Sequence, residues 1–175
     1  MKAYTTYIDD RSTHDLHSSH AGQWSLLTDG VAGGCSQGVL TADQYLGREC
    51  LRLKGDVCAE HNGGYLQMAL DLANDVVFDA SDYDGVVIRV AGNGERYNVH
   101  LHTSELWLSA QSYRVEFIPG PDWRSIYIPF TAFKAHKTYS QLNTTRLTRV
   151  AIVAIGRDFD ANICVNEVAL YRNAE

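Results

Sequence analysis

The 175-residue sequence lacks long apolar runs and an excess of positive charge. No stretch approaches the roughly 18 consecutive apolar residues of a membrane-spanning helix, which predicts a protein without a membrane span. The amino terminus has no apolar core of the secretory-signal type, so we expect a cytoplasmic protein. The net charge of −6 excludes a generic electrostatic affinity for nucleic acid or anionic lipid.

Cysteine pairs with metal-binding or redox spacing are also absent. The four cysteines, Cys35, Cys50, Cys58 and Cys164, form no C-x-x-C motif and have no zinc-ribbon spacing. A chain of this length can bury a core without disulfides, and a free cysteine packs as a small apolar side chain. We therefore expect reduced, mostly buried thiols, with Cys50 and Cys164 in the core.

The sequence contains no recognisable catalytic or metal-binding signature. The nucleophile motif G-x-S-x-G does not occur. His100 and His102 would lie on one face of a strand and could share a metal, but the further ligands of such a site do not follow at a suitable spacing. Two histidines on a polar or ligand-facing sheet surface are the simpler interpretation. Asp9 and Asp10 could contribute to a structural calcium site, yet calcium takes six to eight oxygen ligands, so we expect no cofactor.

Helical periodicity is nearly absent, and apolar residues alternate with polar ones along most of the chain. Such alternation, rich in β-branched and aromatic residues, predicts half-buried strands. Loops rich in glycine, asparagine and aspartate separate them, and residues 130–134 and 140–147 could each hold one short helical turn. The predicted strands are Trp24–Leu27, Cys50–Leu53, Tyr65–Leu70, Val86–Val90, Tyr97–His102, Tyr113–Phe117, Ser125–Ile128, Val150–Ile155 and Ile163–Tyr171.

Short strands at this spacing predict an all-β fold, a β-sandwich or jelly roll of two antiparallel sheets. No linker, composition change or internal repeat interrupts the chain, so we expect a single domain over residues 1–175. Residues 1–19 are expected to form a polar, solvated amino-terminal segment. The large side chains of Trp24, Trp123 and Phe130 are expected to be buried in the sandwich.

Several motifs occur in the order typical of one protein family. The segment Trp24–Gly38 resembles the W-x-x-x-x-D-G-V-M-G-G-x-S-x-G opening of the complex I intermediate-associated protein family, with Ala32 where methionine is usual. Asn62–Tyr65 is similar to the family's N-G-G-F element. Further similar segments lie at residues 82–97, 112–117 and 123–133. The resemblance covers about residues 20–172.

This resemblance implies a galactose-binding-like β-sandwich, the same architecture that the alternation predicts. Eukaryotic members of the family act as assembly chaperones of respiratory complex I, and relatives of the fold include carbohydrate-binding modules. The family has no agreed catalytic motif that could be assigned to residues of this chain. The resemblance therefore favours a non-catalytic binding module.

One polar face of the predicted sheet is the candidate ligand site. On the strand 97–102 the apolar residues would face the core, and the alternate residues would face away from it. If the strand 112–117 is its hairpin neighbour, the polar residues of both strands share one face, and the loop between them forms its rim. The polar and aromatic residues expected at this site are Asn98, His100, His102, Trp107, Arg114 and Glu116.

Three functions are compatible with such a site. The first is a binding module that acts as an assembly or chaperone-like factor or holds a small ligand. The second is a small-molecule biosynthetic enzyme, a cyclase or isomerase, whose pocket folds a substrate and supplies a proton. The third is a carbohydrate-binding module in which exposed aromatic residues stack on sugar rings. We expect a protein or small-molecule partner, and a protein that is a monomer or weak homodimer.

Overall fold

The computed structural model describes residues 3–59, 63–73 and 77–173. Within these ranges the chain forms twelve strands and no α-helix, which confirms the expected all-β class. The strands are β1 (Ala3–Asp9), β2 (Ser25–Thr28), β3 (Gln37–Tyr45), β4 (Arg48–Val57), β5 (Tyr65–Asp71), β6 (Gly85–Gly92), β7 (Tyr97–Thr103), β8 (Ser112–Phe117), β9 (Arg124–Pro129), β10 (Lys134–His136), β11 (Leu147–Ile155) and β12 (Phe159–Asn173). In the same ranges, no helix is long and apolar enough to cross a membrane.

Three short 3-10 helices complete the described secondary structure. They span Asp29–Ala32, Phe130–Ala132 and Thr144–Arg146. The second and third lie in the two segments expected to hold short helical turns, 130–134 and 140–147.

The strands pair into two antiparallel sheets, as the alternation predicts. The first sheet has the order β3-β4-β12-β6-β9, and the second has the order β10-β8-β7-β11-β5-β2. The 15-residue strand β12 is long enough to pair with β4 along its first half and with β1 along its second half. The two sheets pack face to face as a β-sandwich, because the buried side chains of both form one core.

The core lies between the two sheets and is built from alternate side chains of each strand. On β7, Tyr97, Val99 and Leu101 are at most 1% exposed, as the alternation predicts. Leu53 and Ile163 of the first sheet are fully buried on the opposite side of the same core. Full burial of one such aliphatic side chain contributes about 1.5–3 kcal/mol, so the period-two pattern is what holds the two sheets together.

Three strands, β1, β3 and β10, are not predicted by the alternation. β1 lies in the segment expected to be a solvated amino-terminal tail, yet it pairs with β12, from Val168 to Asn173. β3 and β10 end their sheets, so their side chains are mostly half-buried or exposed and give little amphipathic signal. Pairing with a neighbouring strand, rather than local pattern, makes these segments strands.

A buried ion pair between Asp9 and Arg11 lies at the end of β1. The Arg11 guanidinium donates to the Asp9 carboxylate through Nε (3.0 Å) and Nη2 (2.7 Å), and the Trp24 indole Nε1 donates to the same oxygen at 2.7 Å. Arg11 also donates to the carbonyl oxygens of Asp15 and His17. These hydrogen bonds occupy the Asp9 carboxylate, one of the two acidic groups that could contribute to a calcium site.

The three large side chains expected to be buried in the sandwich differ in their exposure. Trp24 is 1% exposed, as expected. Trp123 is only half-buried: it packs edge-on against Tyr45 and donates its Nε1–H to the Tyr45 carbonyl oxygen at 2.9 Å. Phe130 is also half-buried, at the margin of the core. The expectation of full burial is therefore wrong for Trp123 and Phe130, because both lie beside a sheet edge rather than between the sheets.

Two cysteines form a disulfide, which corrects the expectation of four reduced thiols. Cys35 and Cys58 are joined, with their Cα atoms 5.5 Å apart. They come together because β3 and β4 are antiparallel neighbours, and the register that pairs Gln37 with Asp56 places these cysteines opposite each other two residues further on. Cys50 and Cys164 are buried and free, as expected.

The glycine-rich segment that carries the family resemblance is a tight turn over a buried carboxylate. Asp29 is 4% exposed, and its side chain lies against Gly34 so closely that a Cβ atom at Gly34 would overlap it. Gly33 has a φ of 82°, in the left-handed region that favours glycine. The motif is therefore explained by packing in this turn. Asn62 of the similar N-G-G element lies outside the described residues.

Candidate functional site

The candidate residues lie on the outer face of the second sheet. β7 and β8 are hairpin neighbours, with Asn98 opposite Glu116 and His100 opposite Arg114. Because Tyr97, Val99 and Leu101 fill the core, their alternate neighbours on β7 face outward. The structure thus places Asn98, His100, His102, Arg114 and Glu116 on one face.

The neighbouring strands extend this face on both sides. β10 places Lys134 opposite Arg114 and His136 opposite Ser112. On the other side of β7, β11 places the small residue Ala151 opposite His100 and Arg149 opposite His102. One row across the sheet therefore reads Lys134, Arg114, His100 and Ala151, with cations on one side and a small side chain on the other.

A cleft of about 630 Å³ lies over β7, β8 and β10, and we name it the β8 cleft. Its polar lining combines cations, an amide and one carboxylate, and its apolar lining includes a side chain from the end of β11. The lining residues used below are Asn98, Arg114, Glu116, Lys134, His136 and Ile155.

Two further predicted residues, His102 and Trp107, line a second, smaller cleft. This Trp107 cleft has a volume of about 230 Å³ and is lined by His102, Trp107 and Arg149, among others. Trp107 is 81% exposed in the loop after β7. The Arg149 Nε lies 3.0 Å from the Asp71 carboxylate, so the main cation of this cleft is already paired. The single patch expected from the sequence is therefore divided between two clefts.

His100 lies between the two clefts and belongs to the lining of neither. It faces away from the core but is only 4% exposed, which differs from the open surface position that the alternation predicts. Neighbouring side chains on the same face cover it. Burial, together with the charge of Arg114, lowers the pKa of His100 to about 2. Its Nε2 has no hydrogen-bond partner among the described residues.

His102 is half-buried and also neutral at pH 7. Burial and the charge of Arg149 lower its pKa to about 4. Its Nδ1 is buried and has no hydrogen-bond partner in the described part of the chain. Both histidines of the predicted site therefore have unused hydrogen-bonding capacity.

Arg114 is the central cation of the β8 cleft. It is half-buried, and its Nε donates to Ser112 Oγ at 2.7 Å. Burial lowers its pKa from the ordinary arginine value. No carboxylate of residues 3–59, 63–73 or 77–173 forms an ion pair with it, because Glu116 instead lies 3.6 Å from Arg96 Nε.

The sequence pattern does not predict three cationic or titratable residues of this face, Lys134, His136 and Arg149. β10 has three residues, too few for a visible alternation, and it lies beside β8 because the chain crosses from the first sheet to the second after Pro129. Arg149 begins a strand whose apolar residues dominate the pattern. A scan of outward-facing positions on every neighbouring strand would have found these residues once the sheet order was known.

The described residues contain no group of three or more histidine, cysteine, aspartate or glutamate side chains arranged to hold a metal ion. What the β8 cleft offers is hydrogen bonding and charge. Arg114 and Lys134 present donors, Asn98 presents both a donor and an acceptor, and the apolar side chain of Ile155 can pack against a ligand. This arrangement is suited to reversible binding of a small polar molecule.

Several solved structures with the same architecture are carbohydrate-binding modules. The family 11 module of the cellulosomal cellulase Lic26A-Cel5E of Clostridium thermocellum aligns with a TM-score of 0.76 and 11% identity over 100% of this chain and 98% of that chain. The C. thermocellum family 11 module in complex with a β-1,3-1,4-mixed-linked tetrasaccharide aligns with a TM-score of 0.73 and 12% identity, covering 99% and 97%. A family 30 carbohydrate-binding module aligns with a TM-score of 0.64 and 13% identity, covering 100% and 90%. The fold is thus a galactose-binding-like β-sandwich of the carbohydrate-binding-module type.

The sequence identifies the family within this class. The profile of the family described as Complex I intermediate-associated protein 30 matches residues 13–163. The chain belongs to this family, which confirms the resemblance found in the motifs. No curated protein sequence matches the chain significantly.

Proposed function

We propose that this chain is a non-catalytic binding module that holds a small molecule in the β8 cleft. The observation that carries the proposal is the pair of polar side chains with unused hydrogen-bonding capacity in this cleft and beside it. Arg114 has no carboxylate partner among the described residues, and His100 Nε2 is buried without a partner. Buried polar groups nearly always find a partner, so groups left without one mark a place that a ligand can complete.

The size of the cleft supports the same proposal. Its volume of about 630 Å³ is within the range of roughly 300–1,000 Å³ that small-molecule sites occupy. Its lining combines polar groups with the apolar side chain of Ile155, so a ligand could be oriented at one end and packed at the other. The volume of the Trp107 cleft, about 230 Å³, is below this range.

A blocking variant tests the location. Ala132 is exposed and lines the β8 cleft, so Ala132→Trp would fill part of the cleft without disturbing the core. Ala42→Trp, at an exposed position of the edge strand β3, is the matched control. A library of metabolites and neutral oligosaccharides is screened by thermal stability and then by ¹H–¹⁵N NMR, because a ligand that binds only the folded state raises the melting temperature.

The expected result is at least one compound that shifts the amide signals of β7, β8 and β10. Ala132→Trp should abolish these shifts and Ala42→Trp should leave them unchanged. Binding of neutral oligosaccharides would identify a carbohydrate-binding module, and conversion of a bound compound, detected by mass spectrometry, would identify the enzymatic alternative. Shifts that persist in Ala132→Trp would contradict the proposed location.

A second candidate is an assembly or chaperone-like factor with a protein partner. Membership of the complex I intermediate-associated protein 30 family favours it, and so does the exposed loop in which Trp107 is 81% and Leu108 48% exposed. Co-migration of the tagged chain with respiratory complex I assembly intermediates on native gels, lost in Trp107→Ser, would support this role. Absence of co-migration for the unmodified chain would argue against it.

A cytoplasmic location and a monomeric or weakly dimeric state are also part of the proposal. The Cys35–Cys58 disulfide is a bond that oxidising compartments favour, so cell fractionation is the necessary test of location. Light scattering after size-exclusion chromatography would measure the oligomeric state. A stable dimer at micromolar concentration would overturn that part of the proposal.

A further inference from the structure

We propose that the molecule held in the β8 cleft carries an oxyanion group, a carboxylate or a phosphate, which binds between Arg114 and Lys134. This inference rests on the proposed function and adds the chemical class of the ligand. It sets the chain apart from a binder of uncharged ligands.

The charge balance at the cleft is opposite to that of the whole chain. The chain has 21 acidic and 15 basic residues, excluding histidine, and a net charge of −6. The cleft lining nevertheless holds Arg114, Lys134 and His136, and Glu116 is the acidic residue among the lining side chains. Glu116 is largely exposed and is paired with Arg96, so it does not neutralise the cations of the cleft.

Arg114 and Lys134 are directly opposite each other in the β8–β10 register. Cβ atoms at such positions are about 4.5–5.5 Å apart, and like charges there destabilise the strand pair. Neither cation forms an ion pair with a carboxylate of the described ranges. An oxyanion between the two side chains would turn this repulsion into two attractive contacts.

The Arg114 guanidinium is suited to receive such a group. It has five N–H donors, and the contact with Ser112 Oγ uses only its Nε–H. The planar fork of the remaining donors matches the two oxygens of a carboxylate or phosphate. Arg52 and Arg89, which are about as buried, each contact a carboxylate of this chain, Asp43 and Glu167 respectively. Arg114 is the half-buried arginine whose acidic partner is missing from the described chain.

His100 is an independent sign of a ligand at this place. It lies opposite Arg114 in the β7–β8 register, is 4% exposed, and has an Nε2 with no partner in the described residues. A buried ring nitrogen without a partner is costly, and a neutral imidazole can donate to or accept from a bound group. It adjoins Arg114 on the side away from Lys134, so a ligand held by the Arg114 guanidinium would reach this unused capacity by extending across β8 toward β7.

Three probes that share one sugar ring test the charge requirement. Glucose is neutral, glucuronate adds a carboxylate, and glucose 6-phosphate adds a phosphate. Binding is followed by ¹H–¹⁵N NMR of the backbone amides and the arginine Nε–Hε groups. We expect saturable shifts at Arg114 and the amides of β7, β8 and β10 with one or both acidic probes, at an affinity about tenfold or more above that for glucose. The ratio between the two acidic probes distinguishes a carboxylate from a phosphate site.

Charge-removing variants test the residues. Arg114→Gln should lower the affinity for the acidic probe about tenfold or more, and Lys134→Gln several-fold. Lys134 is exposed on an edge strand, so this variant is expected to fold even if Arg114→Gln does not. Arg124→Gln removes an exposed cation from β9 in the first sheet and is the matched control, which should bind like the unmodified chain.

The outcomes separate this inference from the proposed function. Acidic probes that bind no better than glucose, that give no shifts at tens of millimolar, or that bind Lys134→Gln and Arg124→Gln equally well would overturn the oxyanion inference. If library compounds then still bind the β8 cleft and are blocked by Ala132→Trp, the proposed function stands and only the ligand class is wrong. If Ala132→Trp fails to block them, the proposed site is wrong as well.

Discussion

Replacement of Arg11 by methionine should strongly destabilise the fold. Arg11 is 4% exposed and Asp9 2%, so this ion pair is among the most buried polar contacts in the described chain. The substitution keeps a side chain of similar length and removes the charge. It leaves the Asp9 carboxylate buried, with Trp24 Nε1 as its remaining side-chain donor.

The structure gives the expected magnitude. Removal of one partner of a buried ion pair costs about 3–5 kcal/mol, because the other charge remains buried and uncompensated. Arg11→Met also removes the donors to the carbonyl oxygens of Asp15 and His17, which hold the amino-terminal loop. For a chain of this size, such a loss corresponds to a decrease of roughly 6–20 °C in the melting temperature.

Urea unfolding followed by tryptophan fluorescence measures the change in the free energy of unfolding. Arg96→Met is the control, because its ion pair with Glu116 is more than half exposed and should contribute less than about 1 kcal/mol. The double variant Asp9→Leu with Arg11→Met should recover part of the loss, since it removes the uncompensated charge. A loss below about 1 kcal/mol in Arg11→Met would refute the reasoning, since a loss of that size is typical of a solvent-exposed ion pair.

Three further predictions concern packing, thiols and pH. Trp24→Ala should lower the free energy of unfolding by about 3–5 kcal/mol and Trp123→Ala by about 1–2 kcal/mol, since only the first is fully buried; equal losses in urea titrations would contradict the burial difference. Without reductant, the denatured protein should expose two reactive thiols in a thiol assay, and four would show that the disulfide is absent. His100 and His102 have folded-state pKa values of about 2 and about 4, below that of an unfolded histidine, so the unfolded chain takes up protons first as the pH falls. The free energy of unfolding should therefore decrease from about pH 6.5 to pH 4 by about 1.4 kcal/mol per pH unit for each histidine, and His100→Asn should reduce this slope. An unchanged slope in His100→Asn would contradict the burial of a neutral imidazole.

Local pattern was sufficient to predict the central strands and the outward face of the candidate site. Residues on β7 alternate strictly, and a strand alternates its side chains between two faces whatever its neighbours are. Burial of Tyr97 and the outward direction of the opposite face therefore follow from the sequence by itself. The family motifs, being strings of consecutive residues, could also be recognised without a structure.

The tertiary structure decided which residues meet. The disulfide depends on the β3–β4 register, and β3 is an edge strand whose mixed exposure gives no clear pattern. Likewise, the cation pair of Arg114 and Lys134 exists because a three-residue strand returns beside β8. His100 is buried although it faces outward, because neighbours from several strands cover it. Each of these features depends on pairing between segments distant in the chain, and pairing is set by the packing of the whole sandwich, which alternation along one strand does not encode.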